Sequence, residues 1–171
     1  MGDLGKRKVA IVDYGMGNLF SVQHACEHVG LGAAITSSWR DVLEADAVVV
    51  PGVGAFGTAM ETLRKLDMVE PLRQVAASSK PFVGICLGMQ LLMTESLEFG
   101  RHRGLGVIEG TVVRLENPVG PDGVQKVPQV CWNRLSPPAG TADAWSGTLL
   151  DGLPAGTFMY FCHSFYAKPS D

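Results

Sequence analysis

The sequence predicts an α/β protein, a three-layer sandwich whose central sheet is mostly parallel, with an antiparallel extension toward the C-terminal end. Three observations carry this expectation. Short continuous β-branched runs at Val9–Val12, Ala47–Val50 and Phe82–Ile85 each lead into a turn rich in glycine. A helical pattern follows each turn, and strands alternating with helices indicate a parallel sheet covered on both faces. After Gly104 the pattern changes to brief strands separated by Gly, Pro and Asn.

The first run, Val9–Val12, passes through Asp13-Tyr14-Gly15-Met16-Gly17-Asn18 into a helix over Leu19–Val29. Phe20, Val22, Ala25, Cys26 and Val29 recur at helical spacing there, and Gly30 and Gly32 mark its end. Ala33–Thr36 follows as a short strand. Ala47–Val50 turns through Pro51-Gly52-Val53-Gly54-Ala55-Phe56-Gly57 into helices at Thr58–Leu66 and Glu70–Ala77. Phe82–Ile85 turns at Cys86 into a helical pattern over Leu87–Met93. Val107–Ile108, Thr111–Leu115, Gln125–Val127 and Thr157–Tyr166 read as later strands, with a loop at Ser136–Gly147. No repeat or linker interrupts the chain, so residues 1–171 are expected to form a single domain.

Composition narrows the function. Hydrophobic residues make up 46% and charged residues 18%, which suits a globular core and not a disordered chain. A net charge of -3 gives no basis for binding nucleic acid or an anionic membrane. The basic clusters at Lys6-Arg7-Lys8 and Arg101-His102-Arg103 read as solvated loops. No run approaches the length of a membrane span, and Val9–Val12 is too short for a secretory signal. Gly2 lacks the Ser or Thr four residues on that myristoylation requires. A cytoplasmic location is therefore expected. Cys26, Cys86, Cys131 and Cys162 are widely spaced, which argues against zinc and against a disulfide framework. No metal or cofactor is expected.

The chemistry concentrates at Gly84-Ile85-Cys86-Leu87-Gly88, between a buried strand and a helix. Glycines on both sides let the chain reverse sharply and hold a nucleophile above the sheet edge. A helix start stabilises a thiolate, and the Leu87 amide can meet a tetrahedral oxyanion. The competing reading makes Cys86 a small buried hydrophobe, the commonest role of a free cysteine. Gln90, one helical turn on, faces the same side and could hold a polar substrate. Pro51-Gly52-Val53-Gly54 follows a neighbouring strand and can turn a backbone amide toward an anion, or can be an ordinary tight turn. Of the histidines, His24 and His28 stand four apart on one helix and could share a metal, but no acidic residue completes a zincin pattern, and His102 lies in a basic loop. His163 is left as the base that a reading of the residues alone would name.

Taken together, Cys86-Leu87-Gly88-Met89-Gln90-Leu91-Leu92 and Pro51-Gly52-Val53-Gly54-Ala55-Phe56-Gly57 closely resemble the class I, triad-type glutamine amidotransferases. Four further motifs resemble one branch of that family, the glutaminase subunits of imidazole glycerol phosphate synthases. They are Asp13-Tyr14-Gly15-Met16-Gly17-Asn18, Gly104-Leu105-Gly106-Val107-Ile108-Glu109-Gly110, Val127-Pro128-x-x-x-Trp132-Asn133 and Tyr160-Phe161-x-His163-Ser164. The resemblance runs from Lys8 to the last residue. It implies a flavodoxin-like core and hydrolysis of glutamine to glutamate and ammonia, with the ammonia passed to a barrel-shaped cyclase subunit in histidine biosynthesis. It further implies that Cys86 forms a glutamyl thioester, with the Val53 and Leu87 amides as oxyanion donors. Gly52, Gly54, Gln90, Glu98 and the backbone of Ser164 and Phe165 would bind glutamine. Asn18, Trp132 and Asn133 would lie toward the cyclase.

The sequence departs from the family pattern in three places. The family's catalytic His and Glu belong to a Phe-His-Pro-Glu-Lys motif near its C-terminus, which residues 1–171 lack. By the resemblance His163 then belongs to the strand that holds glutamine and is not the base. The expectation is a domain that is C-terminally incomplete and turns over slowly as given. Gln129, Val130 and Cys131 stand where the family has His-Met-Gly, and Phe165 replaces a usual Tyr. Two other readings stay open on the sequence: a non-catalytic subunit that only binds the cyclase, and a different cysteine hydrolase on the same sheet.

Overall fold

The computed structural model describes residues 7–117, 119–120, 123–124, 126–137 and 145–170. In chain order the first unit contains β1 (Lys8–Val12), α1 (Leu19–His28), β2 (Gly32–Thr36), α2 (Trp39–Glu44), β3 (Ala47–Gly52), α3 (Phe56–Lys65) and α4 (Val69–Ala76). It continues with β4 (Phe82–Cys86), α5 (Leu87–Gln90), β5 (Met93–Ser96), β6 (His102–Arg103) and β7 (Ile108–Arg114). The second unit, Leu115–Ser164, holds β8 (Val119–Gly120), β9 (Gly123–Val124), β10 (Gln129–Arg134) and β11 (Phe158–His163). The chain then returns to the first unit with β12 (Phe165–Pro169).

Four parallel strands in the order β2-β1-β3-β4 make the main sheet. Alternation along these strands sorts their side chains to opposite faces. Ala10, Val12, Val48 and Val50 join a core with Val42 of α2, Phe56, Met60 and Leu63 of α3, and Leu72 of α4. Val9, Ile11 and Val49 point the other way, against Leu19, Val22 and Cys26 of α1. Helices therefore cover both faces, as predicted for a three-layer α/β fold. A second, mixed sheet runs β12-β7-β5-β6, with β12–β7 and β5–β6 antiparallel and β5–β7 parallel. In the second unit β10 and β11 form an antiparallel pair.

Several elements differ from the sequence expectation. The helix after Cys86 is a single turn, because Met93 already starts β5. Helix α2 was not anticipated; Ser38 caps it by accepting from the Asp41 amide, and Val42 is its one buried residue. Val107–Ile108 and Thr111–Leu115 are largely one strand, β7. The expected strand at Thr157–Tyr166 is two, β11 and β12, which break at Ser164 and join different sheets. Gln125 of the expected Gln125–Val127 strand lies outside the described residues, and Lys126 and Val127 are not strand. Of the expected loop at Ser136–Gly147, residues 138–144 also lie outside them.

Candidate active site

Cys86 is the last residue of β4 and adopts φ 54° and ψ -114°, a conformation that L-residues avoid. Strain of this kind costs on the order of 1–3 kcal/mol and persists only where the surroundings enforce it. Here the surroundings are backbone. A Cβ at Gly84 would sit 2.5 Å from the Met89 Cα, and one at Gly88 would land on the Val50 carbonyl oxygen. Only glycine at both positions lets the chain turn this closely from β4 into α5 and lets α5 lie against β3. The turn leaves Cys86 exposed while Leu87 and Gly88 behind it are buried.

The parallel register sets Gly52 directly opposite Cys86. The Pro51-Gly52-Val53-Gly54 turn thus emerges beside the thiol, and Val53 is exposed there. Gly54 has φ +110°, and a Cβ on it would meet the Met16 methyl at 2.5 Å. A Cβ at Gly52 would collide with the Tyr14 hydroxyl and approach the Leu87 Cβ at 3.0 Å and the Gly88 amide nitrogen at 3.1 Å. The two segments expected to offer oxyanion amides, at Val53 and Leu87, therefore converge on one end of the sheet.

Tyr14, to which the sequence motifs assign no role, is 2% exposed and donates its hydroxyl to the Pro51 carbonyl at 2.7 Å. Burial pushes its phenol well above the ordinary range, and negative charge on Cys86 pushes it further the same way. Tyr14 stays protonated at neutral pH and can only be a donor toward that carbonyl. Its link to Pro51 spans 37 residues and depends on strand register, so nothing local in the sequence signalled it.

Gln90 is nearly buried, and its side-chain nitrogen donates to the Phe165 carbonyl at 3.0 Å. Two residues expected to bind glutamine thus meet each other, Gln90 behind the elbow and Phe165 at the start of β12. The Phe165 ring packs edge-on to Phe99 at 6.2 Å. Glu98 accepts from the Phe56 amide at 2.7 Å, so its carboxylate sits at the N-terminus of α3, where the helix dipole favours negative charge. That contact ties the segment after β5 to the helix that follows the Gly54 turn. Ser164 ends the second unit, and its carbonyl accepts from the Leu115 amide at 2.8 Å.

The residues expected at a partner interface separate between the units. Asn18 caps α1 by accepting from the Ser21 amide. In the second unit Trp132 is 65% exposed and packs edge-on against Tyr160 at 5.7 Å across β10–β11. Asn133, on the opposite face of the pair, accepts from the Cys131 thiol at 3.5 Å. His24 and His28 lie on and at the end of α1, His102 on β6 and His163 on β11. The His102 ring lies over Gly57, where an added Cβ would be 2.7 Å from it. Among the described residues no group of three or more His, Cys, Asp or Glu is arranged to hold a metal ion. Among them, too, no helix is long and apolar enough to cross a membrane.

The family model for glutamine amidotransferase class-I matches residues 10–170. The chain belongs to the class I glutamine amidotransferases, as a HisH-type glutaminase subunit. Imidazole glycerol phosphate synthase subunit HisH 1 of Legionella pneumophila (strain Lens) is 44% identical over 164 residues, covering 95% of this chain and 76% of the relative. The HisH subunit of Geobacter sulfurreducens is 45% identical over 169 residues, with 96% and 76% covered. That of Aquifex aeolicus is 44% identical over 168 residues, with 96% and 74% covered. Among solved structures, a glutamine amidotransferase superimposes with a TM-score of 0.65 at 19% identity, covering 90% of this chain and 70% of that one. PurLQS from Thermotoga maritima gives 0.64 at 16% identity, with 98% and 71% covered. At those identities the solved structures bear on the fold alone, and both agree with an amidotransferase-type α/β sheet.

Proposed function

We propose that this amidotransferase hydrolyses glutamine through a thioester on Cys86 and delivers the ammonia to the cyclase subunit of imidazole glycerol phosphate synthase, in the cytoplasm. The observation that carries the reading is the pairing of Gly52 with Cys86, which puts an exposed, strained cysteine beside a glycine turn. The Cys86 thiolate would attack the glutamine amide carbon, and the resulting oxyanion would be met by the Val53 and Leu87 amides. Collapse breaks the C–N bond and releases ammonia once the leaving nitrogen is protonated. Water then adds to the thioester, giving glutamate and restoring the thiol. The base for these proton transfers belongs, in the family, to the Phe-His-Pro-Glu-Lys motif, which residues 1–171 do not contain.

Gly52, Gly54, Gln90, Glu98, Ser164 and Phe165 are assigned to glutamine binding in this reading. For Gln90 and Phe165 the support is their mutual hydrogen bond, which leaves the Gln90 side-chain oxygen available as an acceptor. Trp132 and Asn133, with Asn18, are assigned to the cyclase-facing surface. An exposed tryptophan paired with a tyrosine suits a partner contact, since aromatic anchors dominate interface energetics. The whole described chain serves one amidotransferase domain in this reading.

Labelling with a glutamine-mimicking electrophile and mapping the modified peptide tests the assignment. Modification is expected at Cys86 and is expected to vanish in Cys86→Ala. Modification at Cys26, Cys131 or Cys162 instead would sink it. In the complete enzyme with its cyclase, Cys86→Ala should cost about 10⁶ in kcat, as loss of a nucleophile does elsewhere.

A further inference from the structure

We propose that Tyr14 is a positioning residue for the oxyanion site, whose hydroxyl holds the Pro51–Gly52 peptide in place beside Cys86. The inference rests on the reading of Cys86 as nucleophile and Val53 as an oxyanion donor, and it assigns a role to a residue which that reading leaves idle.

The argument begins with the end of a ladder. β1 and β3 pair only as far as Ile11 opposite Val49, whereas β3 and β4 stay paired to Gly52 opposite Cys86. For its last residues β3 therefore lacks its β1 neighbour. Proline at position 51 also contributes no N–H that could tie this stretch down. Glycine at position 52 adds freedom where the site needs a fixed amide. Pairing with β4 holds one edge of the Pro51–Gly52 stretch, but the edge that β1 has left, where the Pro51 carbonyl lies, needs its own holder to keep the Val53 amide beyond it fixed.

Tyr14 supplies the restraint on that open edge. The chain leaves β1 at Val12 and places the Tyr14 ring in the core, so its hydroxyl reaches the Pro51 carbonyl at 2.7 Å. The geometry at Gly52 is reciprocal. The space that a Cβ would need at position 52 is taken by the Tyr14 hydroxyl, with Leu87 and Gly88 closing the other side. Tyrosine at 14 and glycine at 52 thus form a fitted pair, and the fit extends to the residue bearing the second oxyanion amide. A buried hydroxyl bonded to a carbonyl could also be a purely structural contact. The two roles differ in what they influence: a structural contact affects folding, whereas a positioning contact affects reactions that place an oxyanion between Val53 and Leu87.

Two electrophiles separate these roles. A glutamine-like chloroketone reacts with a thiolate while its carbonyl oxygen occupies the oxyanion site. Iodoacetamide alkylates the same sulfur without needing that site. In Tyr14→Phe the chloroketone rate at Cys86 should fall about tenfold or more, part of the effect of losing an oxyanion donor outright. The iodoacetamide rate should change less than about twofold, since that reaction gains nothing from oxyanion stabilisation. Equal changes in both rates, or no change in either, would overturn the proposal. A wild-type protein whose Cys86 is ignored by the chloroketone would overturn the nucleophile reading itself, a different and recognisable result. A second readout needs no variant. In chloroketone-labelled wild-type protein the Tyr14 hydroxyl proton should remain protected from solvent exchange, and loss of that protection on labelling would equally overturn the proposal.

Discussion

The two faces of the main sheet are built from the same strands yet differ in how thoroughly they are packed. On one face α3 buries Phe56, Ala59, Met60 and Leu63, and α4 buries Pro71, Leu72 and Val75. On the other face α1, equally long as α3, has no buried residue at all. Phe20 and Val29 of that segment are 70% and 69% exposed. A groove of about 410 Å³ runs beside α1, lined by Val22, Ala25, Cys26, Val49, Val83 and Ile85. The Cys86 elbow leads into the tight side, since Leu87 and Leu91 join the same core as Phe56 and Met60. A strained residue needs surroundings that cannot yield, so Cys86, the proposed nucleophile, is followed by residues that pack densely.

The largest effect is expected on the packed face. Gly88→Ala drives a methyl onto the Val50 carbonyl, which is backbone and cannot move aside as a side chain could. The cost should be about 4 kcal/mol or more, at the severe end for a single substitution. Urea denaturation measures it directly. A loss under about 1 kcal/mol would mean that the elbow can relax, and the contrast between the two faces would lose its sharpest support.

The same contrast marks what could be read in the sequence. β1, β3 and β4 are continuous apolar runs ended by glycine turns, so their places and their parallel arrangement were visible. Gly84 was readable too, because Gly88 and Met89 within the turn make the demand on it; Gly88 was read from the elbow spacing, although what forbids a side chain there is the Val50 carbonyl of β3. Tyr14 was not, since its partner becomes a neighbour only once β1 and β3 are in register. Gln90 was expected to face substrate; that its side chain also meets Phe165, 75 residues on, required the second sheet to bring β12 alongside. The run Thr157–Tyr166 reads as one strand because its β-propensity is unbroken. The break at Ser164, where the chain passes from one unit to the other, has no composition signal.

Paired truncations give the next effect in size. Leu63→Ala empties a fully buried site on the packed face and should cost about 2–5 kcal/mol. Val22→Ala removes less from a half-exposed site on α1 and should cost about 1 kcal/mol or less. Thermal unfolding of both variants under one condition gives the ratio. Equal costs would show that α1 is held as firmly as α3, and the two faces would have to be treated as alike.

The smallest effect is expected at the exposed apolar residues on and just after α1. Phe20→Gln and Val29→Lys replace two exposed apolar side chains by polar ones that a helix accommodates well. Lysine at position 29 follows the last turn of α1, where a positive charge complements the helix dipole. Little apolar contact is given up, so stability should stay within about 0.5 kcal/mol of the parent. Solubility should rise, because exposed apolar surface is removed at both positions, at Val29 from the lining of the groove itself. The two measurements are read together. A higher solubility at unchanged melting temperature means that these residues contribute apolar surface and not packing, which is the difference between the faces stated at the level of single side chains. A fall of several degrees in melting temperature would place Phe20 and Val29 inside a packed layer, and the asymmetry of the sheet would have to be abandoned.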